Sequence, residues 1–268
     1  MTDTVRSLFA EMKIEYCAAL RYDDCREIRG DIMEREDFTP STVFVFLLPY
    51  YAGETVNLSR YAASRDYHIA LREITDGVIS RLTELYPNAH FRGYGDHSPI
   101  DEVGAALISE LGIIGDNGLI INEKYGSYVF IGDIVSDVAP ELVGTDEVRK
   151  VRRCSGCGAC KRACPTGILR GEGESCLSAT TQRKGEFSTD EVEMMRKFNT
   201  VWGCDICQSV CPYNSDPEIT PIDFFRSDRI ECLTSERLSA MSREELRSRA
   251  FGWRGRAVVE RNLKALGY

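Results

Sequence analysis

The sequence predicts an α+β domain, then a cysteine-rich metal-binding segment, then a short helical end. Three observations carry this reading. Residues 1–140 alternate helix-like and strand-like hydrophobic patterns. Eight of the eleven cysteines lie between Cys154 and Cys211, where glycine is frequent and periodicity fades. Helical patterns return after residue 221. The expected divisions are therefore 1–140, 141–220 and 221–268.

The elements follow in order. Residues 2–13 read as a short amphipathic helix and 14–20 as a strand. Residues 23–40 are charged and read as irregular. Residues 43–48 are β-branched or aromatic, end at Pro49, and read as a buried strand. Ile69, Ile74, Val78, Leu82 and Leu85 fall at helical spacing, so 66–85 is a helix that stops before Pro87. A short strand is expected at 91–95. A helix at 99–111 would be capped by Gly112, and strands at 119–122 and 127–135 would be joined through Lys124-Tyr125-Gly126. Further on, 189–199 is helical, Ser242 to Glu245 reads as a capping box, and 257–266 forms a last helix.

Composition narrows the class. Hydrophobic residues make up 43% and charged residues 28% of the 268, the balance of an ordinary globular chain. The longest apolar run, 43–48, falls far short of the ~20 residues of a membrane helix. Charged residues interrupt the first twenty positions, unlike a secretory leader. The expectation is a cytoplasmic monomer without a membrane partner. Charge is uneven: residues 1–148 hold 12 Lys/Arg against 26 Asp/Glu, and 149–268 hold 21 against 16. The stretch 149–170 carries seven basic residues and no acid. Such a run either faces a polyanion or offsets the charge of metal-bound thiolates.

The cysteines carry the chemistry. Cys154-x2-Cys157-x2-Cys160-x3-Cys164-Pro165 has the spacing of two-cluster ferredoxins, and Cys204-x2-Cys207-x3-Cys211-Pro212 supplies three more thiols. In such pairs the last cysteine of each run reaches the other cluster. Two 4Fe-4S clusters need eight thiolates, and Cys176 completes the count. The expected sets are Cys154, Cys157, Cys160 and Cys211 on one cluster, and Cys164, Cys176, Cys204 and Cys207 on the other. Paired zinc knuckles fit this spacing less well. Cys17, Cys25 and Cys232 have no such partners and read as idle thiols.

Residues 58–268 resemble epoxyqueuosine reductase, the cobalamin and iron–sulfur enzyme family that completes queuosine in tRNA. The resemblance lies in Arg60-Tyr61-Ala62 through Asp66-Tyr67-His68, in Gly95-Asp96-His97-Ser98-Pro99, and in the strings 111–119 and 126–134. It continues through both cysteine motifs and the 176–185 stretch between them. It implies an N-terminal cobalamin-binding α/β sandwich, similar to reductive dehalogenases and nitroreductases, followed by a ferredoxin-like double-cluster domain. It also implies that Asp96 donates a proton, and that Asn117, Gly118, Leu119 and Ile131 contact the corrinoid. Ser178 and Lys184 would close over it, and Tyr61 and His68 would line the same cavity. Partners implied are the tRNA anticodon loop and an external low-potential electron donor.

The chain departs from the family pattern near that site. Asp96-His97-Ser98-Pro99 stands for the usual Asp-Ser-Ala-Pro, Val103 replaces a common arginine, and Gly115-Asp116-Asn117 replaces Gly-Lys-Asn. The reading expects no counterpart of the helical-repeat extension that some members carry. From the residues alone, Asp96 also reads as the cap of the helix expected at 99–111. Two other functions compete with reduction of epoxyqueuosine. One is a cobalamin-dependent reductase or dehalogenase of a small molecule. The other is a ferredoxin-type electron carrier, which would leave the first 140 residues without a task.

Overall fold

The computed structural model describes residues 1–268. The chain forms two compact units, Met1–Pro49 with Ala70–Ser155, and Tyr50–Ile69 with Gly156–Tyr268.

The first unit is built on a four-stranded antiparallel sheet. Its strands are β1 (Cys17–Arg21), β2 (Thr42–Pro49), β3 (Phe91–Tyr94) and β6 (Val129–Ser136), in the order β1-β2-β6-β3. A separate hairpin joins β4 (Ile113–Ile114) to β5 (Ile120–Ile121). All eight residues of β2 are buried, because the strand is central and helices cover both faces, as its unbroken apolar run requires. On one face Phe44 and Phe46 meet Phe9 of α1 (Asp3–Glu11), with ring centroids 6.2 and 5.5 Å apart. On the other, Val43, Val45 and Leu47 join Ala105, Ala106 and Leu107 of α4 (Glu102–Ile108) in one core. Helix α2 (Gly30–Met33) adds Met33 to that core. The long helix α3 (Tyr67–Leu85) lies close to the sheet because glycines face it: a Cβ at Gly95 would stand 1.8 Å from Leu71 Cδ2. Helix α5 (Pro140–Val143) ends the unit's regular structure at a left-handed Gly144.

The second unit is helical and held around Trp202, which is fully buried. Short helices α6 (Ala159–Ala163), α7 (Leu177–Gln182), α8 (Thr189–Lys197) and α9 (Ile206–Ser209) span the cysteine-rich segment. Helices α10 (Asp223–Arg226), α11 (Ser235–Ala240), α12 (Arg243–Arg247) and α13 (Arg256–Leu266) follow. Leu58, Ala62, Val201, Trp202, Leu238, Phe251 and Leu263 share one core, so residues 57–62, from the first half of the chain, pack among the C-terminal helices. The reciprocal capping box lies at Ser188 and Glu191 of α8. At Ser242 the side chain accepts from the Glu245 N–H.

Most expected elements are present with shifted ends. The strand expected at 14–20 begins at Cys17, and the helix expected at 99–111 is confined to Glu102–Ile108. Residues 23–40 contain a turn of 3-10 helix and α2. No helix is long and apolar enough to cross a membrane.

Candidate active site and cluster-binding segment

Asn117, Gly118 and Leu119 form the tip of the β4–β5 hairpin. The Gly115 N–H donates to the Leu119 carbonyl and the Gly118 N–H to that of Gly115, both at 2.9 Å. Gly118 takes φ +81°, and a Cβ there would meet nothing. The Asn117 Oδ1 accepts from the Leu119 N–H at 3.3 Å, which fixes the amide plane. Its Nδ2 is buried without a partner. Buried donors are normally satisfied, so this orphan marks a place where a ligand acceptor fits. At the hairpin's base the Ile114 carbonyl accepts from the Cys154 N–H at 3.0 Å. The first candidate cluster ligand is therefore tied to the strand that leads to Asn117.

Asp96 sits in the turn after β3, exposed and at φ 60°, a left-handed conformation that costs a non-glycine residue energy. Two contacts hold it. Its N–H donates to Glu102 Oε1 at 3.1 Å, and its carbonyl accepts from Arg29 Nη2 at 3.4 Å. Arg29 Nη1 also lies 2.6 Å from His97 Nδ1. The helix cap is Asp101, whose side chain accepts from the Gly104 N–H at 3.0 Å. This corrects the cap reading of Asp96: the helix starts two residues beyond Ile100, out of reach of residue 96. Ile131 lies on β6 opposite Leu47, and Asp133, two residues on, points to the same face.

In the second unit, residues 57–61 are stitched to 201–205. The Val201 N–H donates to the Asn57 carbonyl and the Ser59 N–H to that of Trp202, both at 2.7 Å. Tyr61 Oη accepts from Trp202 Nε1 at 3.0 Å. Asp205, inside the second cysteine motif, accepts from the Ser59 hydroxyl, from the Arg60 N–H at 2.7 Å and from Arg60 Nη1 at 3.2 Å. Gly203, at φ +78°, turns the chain between these contacts, and its N–H donates to Thr181 Oγ1 of α7. Ser178 lies in the first turn of the same helix, which Cys176 caps. Its Oγ accepts from Gln182 Nε2 at 3.0 Å. Lys184 is exposed beyond the helix end. His68 has a partner the sequence did not reveal: its Nδ1 lies 2.8 Å from Asp66 Oδ1, and its ring stacks on Tyr67.

The thiols of this unit suit iron–sulfur ligation. Burial pushes Cys204 up to about 12, and the nearby charges of Cys176 and Cys207 push the same way against a backbone N–H. Three of the four thiols expected on one cluster thus lie within electrostatic reach of one another. Metal coordination removes such a proton outright. Burial also works to raise Cys164. The N–H groups of Leu169, Thr166 and Gly167 and the Thr166 hydroxyl outweigh it and bring the thiol below its usual value. Donors aimed at a sulfur are a feature of cluster sites. Helix α6, carrying Cys160, packs on α9, carrying Cys207. No three metal-ligating side chains meet at the spacing of a single bound ion.

Sequence reasoning missed a group behind Asp96. Asp133 is fully buried, and its Oδ2 accepts from the Ser98 hydroxyl at 3.0 Å. Glu102 lies within hydrogen-bonding reach of it. Burial and then the Asp96 charge push Glu102 up to about 7. Burial and then Glu102 push Asp133 well above the usual carboxylate range. An acid in the middle of an apolar strand was the available signal.

Residues 153–214 match the family model of a 4Fe-4S double cluster binding domain. The epoxyqueuosine reductase of Listeria monocytogenes is 31% identical over 208 residues, 74% of this chain and 53% of that protein. The chain spans about half the length of the curated relatives it matches. Among solved structures, epoxyqueuosine reductase from Streptococcus thermophilus superposes with a TM-score of 0.78 at 22% identity, covering 98% of this chain and 80% of that one. An epoxyqueuosine reductase solved with an epoxyqueuosine-modified tRNA-Tyr stem loop gives 0.76 at 19% identity, with the same coverage. In sequence and in fold the chain is similar to the epoxyqueuosine reductases, and its cysteine-rich segment matches a 4Fe-4S double cluster binding domain.

Proposed function

We propose that the chain is a cobalamin-dependent iron–sulfur reductase that reduces epoxyqueuosine to queuosine in tRNA. The observation that carries the reading is the β4–β5 hairpin. Its tip holds the unpartnered, buried Asn117 amide, and its base binds the backbone of Cys154. A corrinoid acceptor at Asn117 would satisfy the orphan donor, with Gly118, Leu119 and Ile131 as apolar or open neighbours. Tyr61, His68, Ser178 and Lys184, in the second unit, are the further candidates for contact with the cobalamin. Cys154, Cys157, Cys160 and Cys211 would hold one cluster, and Cys164, Cys176, Cys204 and Cys207 the other. On this reading residues 1–140 are the catalytic domain, 141–220 the double-cluster domain and 221–268 a helical end.

An epoxide releases its oxygen as water on taking up two electrons and two protons. Cobalamin, when bound, supplies the electrons at low potential, recharged one at a time through the clusters. The chain's own part is to place a proton. Glu102 and Arg29 fix the backbone of Asp96, and its exposed carboxyl is the group that would give the proton. His97 stands beside it on the same turn, with its Nδ1 against Arg29.

A cationic groove supports an RNA substrate. Arg243, Arg247, Trp253 and Arg254 line a cavity of about 600 Å³. Trp253 is 56% exposed, and the Arg254 guanidinium sits 3.8 Å over its ring. Exposed aromatic and arginine side chains together suit a base and its phosphate. Arg256 has a different role, donating to the Leu238 and Met241 carbonyls.

The test is anaerobic metal analysis with a cobalamin titration. About eight irons per chain, and cobalamin binding that Asn117→Leu weakens at least tenfold, would support the reading. Full iron without cobalamin binding would leave a ferredoxin-type carrier.

A further inference from the structure

Three acids converge where the sheet meets α4: Asp133 on β6, Glu102 in the first turn of the helix, and Asp96 in the turn between β3 and α4. The contacts around them form one continuous chain. The Ile100 N–H donates to Ser98 Oγ at 3.2 Å, so the Ser98 hydroxyl proton is free to go to Asp133 Oδ2. The other oxygen, Oδ1, is buried and has no donor. The Glu102 carboxyl lies within hydrogen-bonding reach of Asp133, and Glu102 Oε1 accepts the Asp96 N–H.

We propose that Asp133 is held as the neutral acid, donating its proton to a Glu102 carboxylate, and that Glu102 so held is the positioning residue for the backbone of Asp96. The importance assigned to Asp96 rests on the reductase reading. The proton assignment does not.

Counting protons decides it. With none, two carboxylates face each other, one fully buried with an oxygen that receives no bond. With two, Glu102 offers the Asp96 N–H only a neutral acceptor. With one, each atom has a role: Oδ2 accepts from Ser98, Oδ1–H donates to Glu102, and the Glu102 charge receives the Asp96 N–H. A bond to an ionised acceptor is the stronger kind, and it is made where the chain is held in the left-handed turn.

The surroundings agree with a single negative charge on the pair. The Arg29 charge acts on Glu102 and works to keep it ionised. Its place is set by segment 26–29, where the Ile28 and Arg29 N–H groups donate to the Pro99 carbonyl and the Asp101 N–H donates to that of Arg26. The other titratable groups facing Asp133 are Cys25 and Tyr94. Burial foremost raises both, and an Asp133 charge would raise them further. Neither supplies a positive charge to balance an ionised Asp133. His97 is engaged by Arg29.

Burial raises both acids, so the sign of the pH dependence follows. Groups whose folded values lie above their unfolded ones stabilise the fold fully at low pH. They lose that contribution as pH rises from the ordinary carboxylate range through the folded values, a loss complete for Glu102 just above 7 and continuing for as long as Asp133 keeps its proton.

The experiment uses the intact, cluster-loaded chain under anaerobic conditions. Infrared spectra at neutral pH should show the carbonyl band of a protonated carboxylic acid, and Asp133→Asn should remove it. The thermal midpoint of the parent should fall from neutral to alkaline pH. Asp133→Asn, which copies the neutral acid with one donor and one acceptor, should flatten that fall. Asp133→Leu should lower turnover at least tenfold, and Asn at the same position should restore most of the loss. Absence of the acid band in the parent would overturn the proposal. So would parallel pH profiles in parent and Asp133→Asn, or an Asn variant as impaired as Leu or unable to fold. Infrared and thermal readouts need no turnover. A failed reductase reading with an intact proton assignment would therefore show as a normal band and pH profile without activity.

Discussion

Replacing Asp205 by alanine should cost the second unit both stability and a cluster. The carboxylate is 9% exposed and paired with Arg60, itself 12% exposed. It also accepts from the Ser59 hydroxyl, the Arg60 N–H and Gln208 Nε2. Truncation takes that shared acceptor away from all of them. Arg60 keeps Glu54, an acid whose side chain is 69% exposed, and the Ser209 hydroxyl. Removing one partner of a buried ion pair costs ~3–5 kcal/mol. The remaining Glu54 contact places the expected loss at the lower end, about 3 kcal/mol. For a chain of this size that lowers the thermal midpoint by about 6–12 °C. The lesion lies between Cys204 and Cys207, and it frees residues 59–60 from the turn at Gly203. Iron should therefore fall from about eight toward four per chain, with Asp205→Asn intermediate because it keeps the shape and one acceptor. Differential scanning calorimetry and iron analysis of the anaerobic protein read both effects. A midpoint within 2 °C of the parent, or full iron content, would refute the idea that this clamp shapes the second motif.

Other outcomes follow from the same geometry. Asp96→Asn should fold and load normally, because the cap is Asp101, yet turn over ~10²–10⁴-fold more slowly, the scale for losing a general acid; activity within a few-fold of the parent would remove it from proton transfer. Asp101→Ala should cost ~1 kcal/mol by denaturant titration, the usual loss for an N-cap. Cys176→Ser should lose iron, and iron unchanged would show that another residue completes the second cluster. Replacing Arg243, Arg247 and Arg254 by glutamine should flatten the salt dependence of stem-loop binding by ~0.7–0.9 per lost phosphate contact. Trp253→Ala should weaken binding by ~1–3 kcal/mol if a base stacks there.

Local chemistry was readable where it is local in the chain. The buried strand, the long helix before Pro87 and the cluster spacing depend on neighbours within a few residues, and periodicity or motif spacing reports such neighbours directly. The element ends were less legible. Asp101, not a residue near Pro99, starts α4 because residues 99–101 are occupied in bonds to segment 26–29. What the sequence concealed is non-local. Residues 57–62 fold into the core of the helical unit through Trp202, about 140 residues later. Asp205 reads as an ordinary spacer in a cysteine motif until Ser59 and Arg60 are seen to bond to it. The Asp133–Glu102 pair joins a strand to a helix start 31 positions apart, and only Asp133's place in an apolar run hinted at it. Among the basic residues, Arg256 and Arg261 both donate to backbone carbonyls far away in the chain. Arg254 lies instead over the exposed ring of Trp253.

The central claim is tested most directly by mass spectrometry of RNA. The anaerobic, cluster-loaded chain, supplied with cobalamin and a low-potential reductant, is incubated with an epoxyqueuosine-containing anticodon stem loop. The account predicts loss of one oxygen atom from the modified base, dependent on added cobalamin and much slower with Asp96→Asn. An unchanged base mass, with iron and cobalamin both bound, would contradict it and point to a small-molecule substrate.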